Sequence, residues 1–156
     1  MIDYDKLEEY DRNKTKVLKY VVYKKRTEKE IKQKFSQEIE TNMLEDIIQE
    51  LKENNYISDN QYIQRAVNEF MALKNISLKQ IKYKLQSKGI DNNLIEEYFS
   101  NNREELQEYE INSANNLINK KIECPAEEII QMLLKKGFEY DNVKEALERR
   151  NWWKIY

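Results

Sequence analysis

The 156-residue chain has no histidine, two glycines, one proline and one cysteine. A sheet protein needs frequent glycine and proline turns, so their scarcity excludes an all-β fold. The missing histidine removes Ser-His and Cys-His nucleophile pairs, histidine metal ligands and the usual general base near neutral pH. The single Cys124 excludes an intrachain disulfide and a cysteine zinc cluster. We therefore expect a protein that is not an enzyme and needs no cofactor.

Long apolar runs are also missing, since the longest, residues 20–23 and 70–73, contain four residues each. A membrane-spanning helix needs about 20 apolar residues, so no span is predicted. The N-terminus is acidic and alternates charged with apolar residues, whereas a secretory signal has a basic start followed by an apolar run. A single thiol and no export signal predict a cytoplasmic protein.

Helical features fill almost the whole chain, because apolar residues recur at spacings of three and four. The segments 27–30 (Thr-Glu-Lys-Glu) and 77–80 (Ser-Leu-Lys-Gln) have the form of capping boxes, which begin helices. Gly89 and Gly137 each follow a lysine and precede an apolar residue, which is the pattern of a helix ended by a left-handed glycine. Together these features predict an all-α fold.

Internal similarity suggests a repeat, because apolar positions match at offsets of 48 to 51 residues. We infer three tandem repeats of three helices each. Short helical triplets bury little surface alone, so we expect the repeats to stack into an elongated, curved array. The predicted segments are an acidic leader at 1–13, repeat 1 at 14–54, repeat 2 at 59–101, repeat 3 at 103–149 and an aromatic C-terminal tail at 150–156.

Charge alternates along the chain although the net charge, 27 basic against 29 acidic side chains, is only −2. Residues 12–34 sum to +8, 36–70 to −6, 71–90 to +5 and 91–110 to −6. Such alternation would place positive and negative stripes on different faces of an array. The alternative is ordinary solvated faces with intramolecular ion pairs, and the sequence leaves both interpretations open.

The predicted middle helix of repeat 2 has an apolar stripe formed by Leu78, Ile81 and Leu85. At 100° per residue, Tyr83 points about 170° away from that stripe, among lysines. An outward aromatic in this setting suits contact with a nucleic-acid strand, or with a protein groove lined by carboxylates. The alternative is that Tyr83 packs against a neighbouring repeat.

A second basic cluster, residues 24–26 (Lys-Lys-Arg), also has two interpretations. It would bind phosphate or an acidic surface, or it would serve as a charged connector at a helix C-terminus, where the helix dipole favours cations.

Other reactive-looking features have simple structural explanations. Cys124 lacks a histidine partner and precedes a proline between helices, so an inert thiol is expected. The acid pairs 96–97 and 104–105 are expected on solvated helix faces, because no pocket marks them for acid–base catalysis. Trp152 and Trp153 are expected to pack over repeat 3, whereas an exposed pair would indicate an interface anchor.

Four segments, in order and spacing, resemble the RecX family. They are residues 27–31 (TEKEI), 51–63 (LKENNYISDNQYI), 81–90 (IKYKLQSKGI) and 133–138 (LLKKGF), and the similarity extends from about Lys16 to Leu147. The chain departs from the family pattern where Asn75-Ile76 replaces a common glycine, and where lysine replaces the usual arginine. Lysine offers a point charge and no bidentate contact.

The resemblance implies an all-helical regulator of the recombinase RecA. Members of this family bind RecA filaments on single-stranded DNA, in the helical groove across neighbouring protomers, and inhibit ATP hydrolysis, strand exchange and coprotease activity. We therefore expect a monomer that binds the filament and binds bare DNA weakly. The candidate contact residues are Lys24, Lys25, Arg26, Lys32, Lys34, Lys79, Lys82, Tyr83, Lys84 and Lys88.

Two other functions remain open at this point. A helical nucleic-acid-binding module without a recombinase partner would bind bare DNA with a steep dependence on salt. A purely structural helical adaptor would neither bind DNA nor inhibit the recombinase.

Overall fold

A computed structural model describes residues 3–73 and 75–155, with side chains up to residue 150. These ranges contain α-helices and no strand, which confirms the all-α prediction. The expectation for Trp152 and Trp153 concerns side chains outside the described residues. The helices are α1 (Tyr4–Tyr23), α2 (Glu28–Phe35), α3 (Thr41–Glu53), α4 (Asp59–Leu73), α5 (Leu78–Ser87), α6 (Asn92–Asn101), α7 (Arg103–Lys120), α8 (Ala126–Lys135) and α9 (Tyr140–Ile155).

The predicted helix ends are confirmed. Thr27 and Ser77 are N-caps of complete capping boxes, in which the hydroxyl accepts from the N3 amide and the N3 side chain accepts from the cap amide. Gly89 and Gly137 have φ angles of +86° and +96°, as a left-handed helix end requires. These signals are local, so a few residues of sequence are enough to fix them.

Buried apolar residues form three clusters along the chain. The first lies among α1, α2 and α3, the second among α4, α5 and α6 with two side chains from α7, and the third among α7, α8 and α9. Helix α1 begins at Tyr4 and runs through the predicted boundary at residue 13, with Tyr10 packed against the first cluster. Similarly, the backbone of α9 continues into the predicted C-terminal tail. The division into three repeats at the stated boundaries stays a prediction.

The second helix of each group meets the next one end to end. The Ser77 hydroxyl donates to the Lys136 carbonyl at the end of α8 (2.9 Å), and the Thr27 hydroxyl donates to the Lys88 carbonyl at the end of α5 (2.7 Å). We call these contacts the α8–α5 junction and the α5–α2 junction. At each of them a negative helix C-terminus faces a positive N-terminus, which is the favourable arrangement of two dipoles. The helices α8, α5 and α2 therefore form one row.

Each junction also has an acidic side chain that caps the first helical amide. Asp59 accepts from the Glu28 amide (3.2 Å) and Glu110 accepts from the Leu78 amide (2.9 Å). Glu110 is fully buried and also bonds to Asn142, so its partners are neutral donors. Burial raises the pKa of both carboxyls, because the charged form loses water. The two junctions thus use the same design at positions about 50 residues apart.

Candidate partner-binding surface

Tyr83 lies on the outer face of α5, as the helical spacing predicts. Its side chain is 70% exposed, so it does not pack against a neighbouring group of helices. Ile81 and Leu85, on the opposite face, are buried in the second cluster. Lys79 and Lys84 are exposed on the same helix. The outer face of α5 therefore presents an aromatic ring together with cations.

The four lysines predicted on α5 and at its C-terminus have different surroundings. The Lys82 amine is 3.0 Å from a Glu96 carboxylate oxygen and lies over the Phe99 ring, so it is directed toward α6. The Lys88 amine is 3.9 Å from a Glu30 carboxylate oxygen, across the α5–α2 junction. Among the described residues, no carboxylate is within 4.0 Å of the Lys79 or Lys84 amines. Lys79 and Lys84 are thus the cations of this face most available to a partner.

Helix α2 repeats the lysine pattern of α5. Three lysines of α2 lie 50 residues before three lysines of α5. These pairs are Lys29 with Lys79, Lys32 with Lys82, and Lys34 with Lys84. The six lysines and Tyr83 form what we call the basic ridge. On α8, the positions 48 residues after Lys79, Lys82 and Lys84 hold Glu127, Ile130 and Met132, none of which is basic. The ridge therefore ends at the α8–α5 junction.

The lysines of α2 are exposed, and neighbouring side chains neutralise little of their positive charge. Lys32 forms an exposed i,i+4 ion pair with Glu28 at 3.5 Å, which contributes little in water. The Lys34 amine lies 6.0 Å from the centroid of the Tyr20 ring. Lys29 was absent from the residues predicted from sequence, although the offset of 50 residues marks it. It belongs to the ridge because it is exposed and occupies the position equivalent to Lys79, and its stem lies next to Gly89 at the α5–α2 junction.

Residues 24–26 form the connector between α1 and α2, and their side chains diverge. Lys24 is exposed, and the Lys25 amine donates to the Gln61 amide oxygen at 3.0 Å. The Arg26 guanidinium stacks over the Tyr20 ring at 4.3 Å and is partly buried. Arg26 therefore matches the connector interpretation, whereas Lys24 and Lys25 remain available to a ligand.

The structure also locates the single cysteine and the two acid pairs. Cys124 is exposed, and the acid pairs 96–97 and 104–105 lie on exposed faces of α6 and α7. In the described part of the chain, no three potential metal ligands from His, Cys, Asp and Glu come together. None of the helices, as far as they are described, has the length and apolar character to cross a membrane.

Comparison with known proteins gives a consistent family of relatives. Three of them, each named "Regulatory protein RecX", come from Clostridioides difficile (strain 630), Finegoldia magna and Lactococcus lactis. Their sequences are 32% identical to this chain over 150 residues, 34% over 140 residues and 29% over 158 residues, respectively. The aligned regions cover 91%, 82% and 94% of this chain. The chain spans 69%, 66% and 58% of the length of these relatives, respectively. No protein-family model matches the chain.

Solved structures give the same result for the fold. The crystal structure of RecX from Lactobacillus salivarius superimposes with a TM-score of 0.78 at 28% identity, covering 92% of this chain and 97% of that one. A second crystal structure, of a regulatory protein RecX, has a TM-score of 0.76 at 21% identity and covers 92% of this chain and 75% of that one. At this identity the second comparison supports the fold alone.

Proposed function

The chain belongs to the RecX family of regulatory proteins, and from this premise we propose that it is a non-catalytic regulator of the RecA recombinase. It binds the groove of the RecA–single-stranded DNA filament across neighbouring protomers. Binding there inhibits ATP hydrolysis, strand exchange and coprotease activity. It acts in the cytoplasm as a monomer. The observation that carries the proposal is the basic ridge on α2 and α5.

The repeated lysine pattern supports a partner that is itself repetitive. Helices α5 and α2 contain 10 and 8 residues, so at 1.5 Å per residue they are about 15 Å and about 12 Å long. The same three lysine positions occur on both helices, so the ridge can make similar contacts twice along its length. A filament of identical protomers offers acidic or phosphate groups at regular intervals, which fits this arrangement.

Charge and aromatic character support a contact with both protein and strand. Lysine provides point charges that attract carboxylates and phosphates alike, without bidentate selection. Tyr83 is a rigid aromatic with a polar hydroxyl, a residue type enriched at the energetic centres of protein interfaces. We place Lys79, Tyr83 and Lys84 at the centre of the contact. The remaining candidates, Lys24, Lys25, Arg26, Lys32, Lys34, Lys82 and Lys88, lie around it.

The proposal is tested by titrating this protein into single-stranded-DNA-dependent ATP hydrolysis by RecA from the same organism. Inhibition is expected at concentrations well below those that saturate the DNA, because the target is the filament and not the bare strand. A binding assay with bare DNA at the same salt concentration is the control. Strong, salt-sensitive binding to bare DNA without inhibition would instead favour the nucleic-acid module. If the protein neither inhibits ATP hydrolysis nor binds bare DNA, a purely structural adaptor is the remaining function.

A further inference from the structure

Two tyrosines border a cleft that the basic ridge does not include. The cleft has a volume of about 230 Å³ and lies between the end of α1, the turn after α3, and α4. Tyr23 is 86% exposed and Tyr56 is 49% exposed. Neighbouring Val22 is also exposed, at 64%. Three large side chains in one place are thus left open to solvent, although the core of this group of helices is adjacent.

The turn after α3 holds Tyr56 in a fixed position. Asn55 has a left-handed φ of +63°, and the Tyr56 amide donates back to the Leu51 carbonyl at 2.9 Å. The same pattern of bonds occurs at Gly89 and Gly137, where the following residues, Ile90 and Phe138, are buried. Tyr56 occupies the equivalent position but faces outward. Its aromatic ring is therefore attached to a well-ordered backbone, which lowers the entropic cost of binding a ligand.

Cations line the cleft, and none of the residues that line it is acidic. Lys24 is exposed and has no carboxylate partner in the described part of the chain, while Lys25 bonds only to the neutral amide of Gln61. Arg65 contributes a guanidinium whose Nε bonds to Glu69 on the exposed face of α4. The charge of the two lysines is thus not neutralised within the protein, and it favours an anionic ligand.

A track of polar side chains continues from this cleft along α4. Arg65 lies between the cleft and a second depression, which is lined by the amide side chains of Gln61, Gln64 and Asn68 and also by Glu69, the ion-pair partner of Arg65. Amides donate and accept hydrogen bonds, so they can contact base edges or phosphates. The combination of aromatic rings, cations and a polar track is the one that proteins use to hold an unpaired nucleic-acid strand.

We propose that the cleft formed by Tyr23, Lys24, Lys25, Tyr56 and Arg65 binds a base and its phosphates in single-stranded DNA. The tyrosine rings stack on the base, and the three cations contact the phosphates. A duplex does not fit this chemistry, because its base faces are already stacked on each other. The choice of DNA over RNA rests on the proposed function, of which Lys24 and Lys25 are also candidate contacts, but the cleft shares no residue with the basic ridge.

The experiment measures fluorescence anisotropy of a labelled oligothymidylate with the full chain, the Tyr23→Ala/Tyr56→Ala double variant, and Tyr140→Ala as an exposed-tyrosine control. The double variant is expected to bind at least about fivefold more weakly, since stacking is worth 1–3 kcal/mol per base. Tyr140→Ala is expected to bind like the wild type. The Tyr23→Phe/Tyr56→Phe variant retains both rings and is expected to keep most of the affinity.

A matched oligonucleotide with abasic sites separates stacking from charge. The wild-type protein and the double alanine variant are expected to bind it equally, because no base is present to stack. An equal loss of affinity on the abasic and intact strands, or no loss on either, would overturn the proposal. Unchanged binding by the double alanine variant would indicate that the cleft contacts a protein instead of DNA. None of these outcomes depends on RecA inhibition, so failure here is distinguishable from failure of the proposed function.

Discussion

Replacing Lys79 and Lys84 by glutamate is expected to weaken inhibition of the RecA ATPase by about 100-fold or more, because like charges across an interface cost several kcal/mol. These two lysines are exposed and free of ion pairs within the described residues, so their reversal breaks no ion pair there. The Lys84 amine lies 5.8 Å from the centroid of the Phe70 ring, and this weak contact is lost in the variant. The ATPase titration measures the effect directly. Reversing Lys82 or Lys88 as well would place glutamate beside Glu96 or Glu30 and destabilise the fold. The double variant is therefore the sharper test.

The matched control reverses two lysines outside the ridge. Lys120 and Lys121 are exposed at the end of α7, and Lys120→Glu/Lys121→Glu changes the net charge from −2 to −6, since each replacement subtracts two. The ridge variant has the same net charge. Circular dichroism is expected to show unchanged helicity in both variants, and only the ridge variant is expected to lose inhibition. Equal loss in both would indicate a general charge effect, and full inhibition by the ridge variant would exclude the ridge as the contact.

Gly89→Ala is expected to lower the free energy of unfolding by about 2 kcal/mol or more. A left-handed conformation costs a non-glycine residue about 1–2 kcal/mol. In addition, the new Cβ would overlap Lys29 Cδ and would lie 2.5 Å from Lys29 Cβ, so the start of α2 must move away. This movement opens the α5–α2 junction and separates the two halves of the ridge. Urea unfolding followed by circular dichroism measures the loss of stability.

Gly137→Ala provides the comparison at the α8–α5 junction. Its φ of +96° carries a similar backbone cost, but the nearest atom, Ser77 Oγ, would be 3.0 Å from the new Cβ. We therefore expect a smaller loss than at Gly89, and the difference between the two variants reports the close approach of Lys29. Equal losses would mean that backbone strain alone determines both effects. No loss at Gly89 would contradict the junction geometry.

Features determined by neighbouring residues could be predicted from the sequence. The capping boxes at Thr27 and Ser77 and the left-handed glycines depend on a few consecutive residues, and the outward direction of Tyr83 follows from the 100° rotation per residue. The start of α1 was harder to predict. Its first turn is capped by Asp3 and carries mostly exposed side chains, so no apolar stripe indicates that the helix begins at Tyr4.

Contacts between distant residues could not be predicted. The Thr27–Lys88 bond and the Lys82–Glu96 ion pair join positions 61 and 14 residues apart, and neither leaves a local pattern. For the same reason the sequence did not separate the paired Lys82 from the unpaired Lys79. Tyr23 was missed because it ends the apolar run 20–23, which is typical of core, although its side chain faces solvent.

Photo-crosslinking from position 83 tests whether the protein binds the filament through the basic ridge. A photoreactive phenylalanine derivative in place of Tyr83 is irradiated with assembled RecA–single-stranded DNA filaments, and the same group in place of Tyr4 is the exposed control. We expect crosslinks to RecA from position 83 only when the filament is assembled, and weak or no crosslinks from position 4. Crosslinks from position 4 but not from position 83, or crosslinks from position 83 to DNA alone, would contradict it.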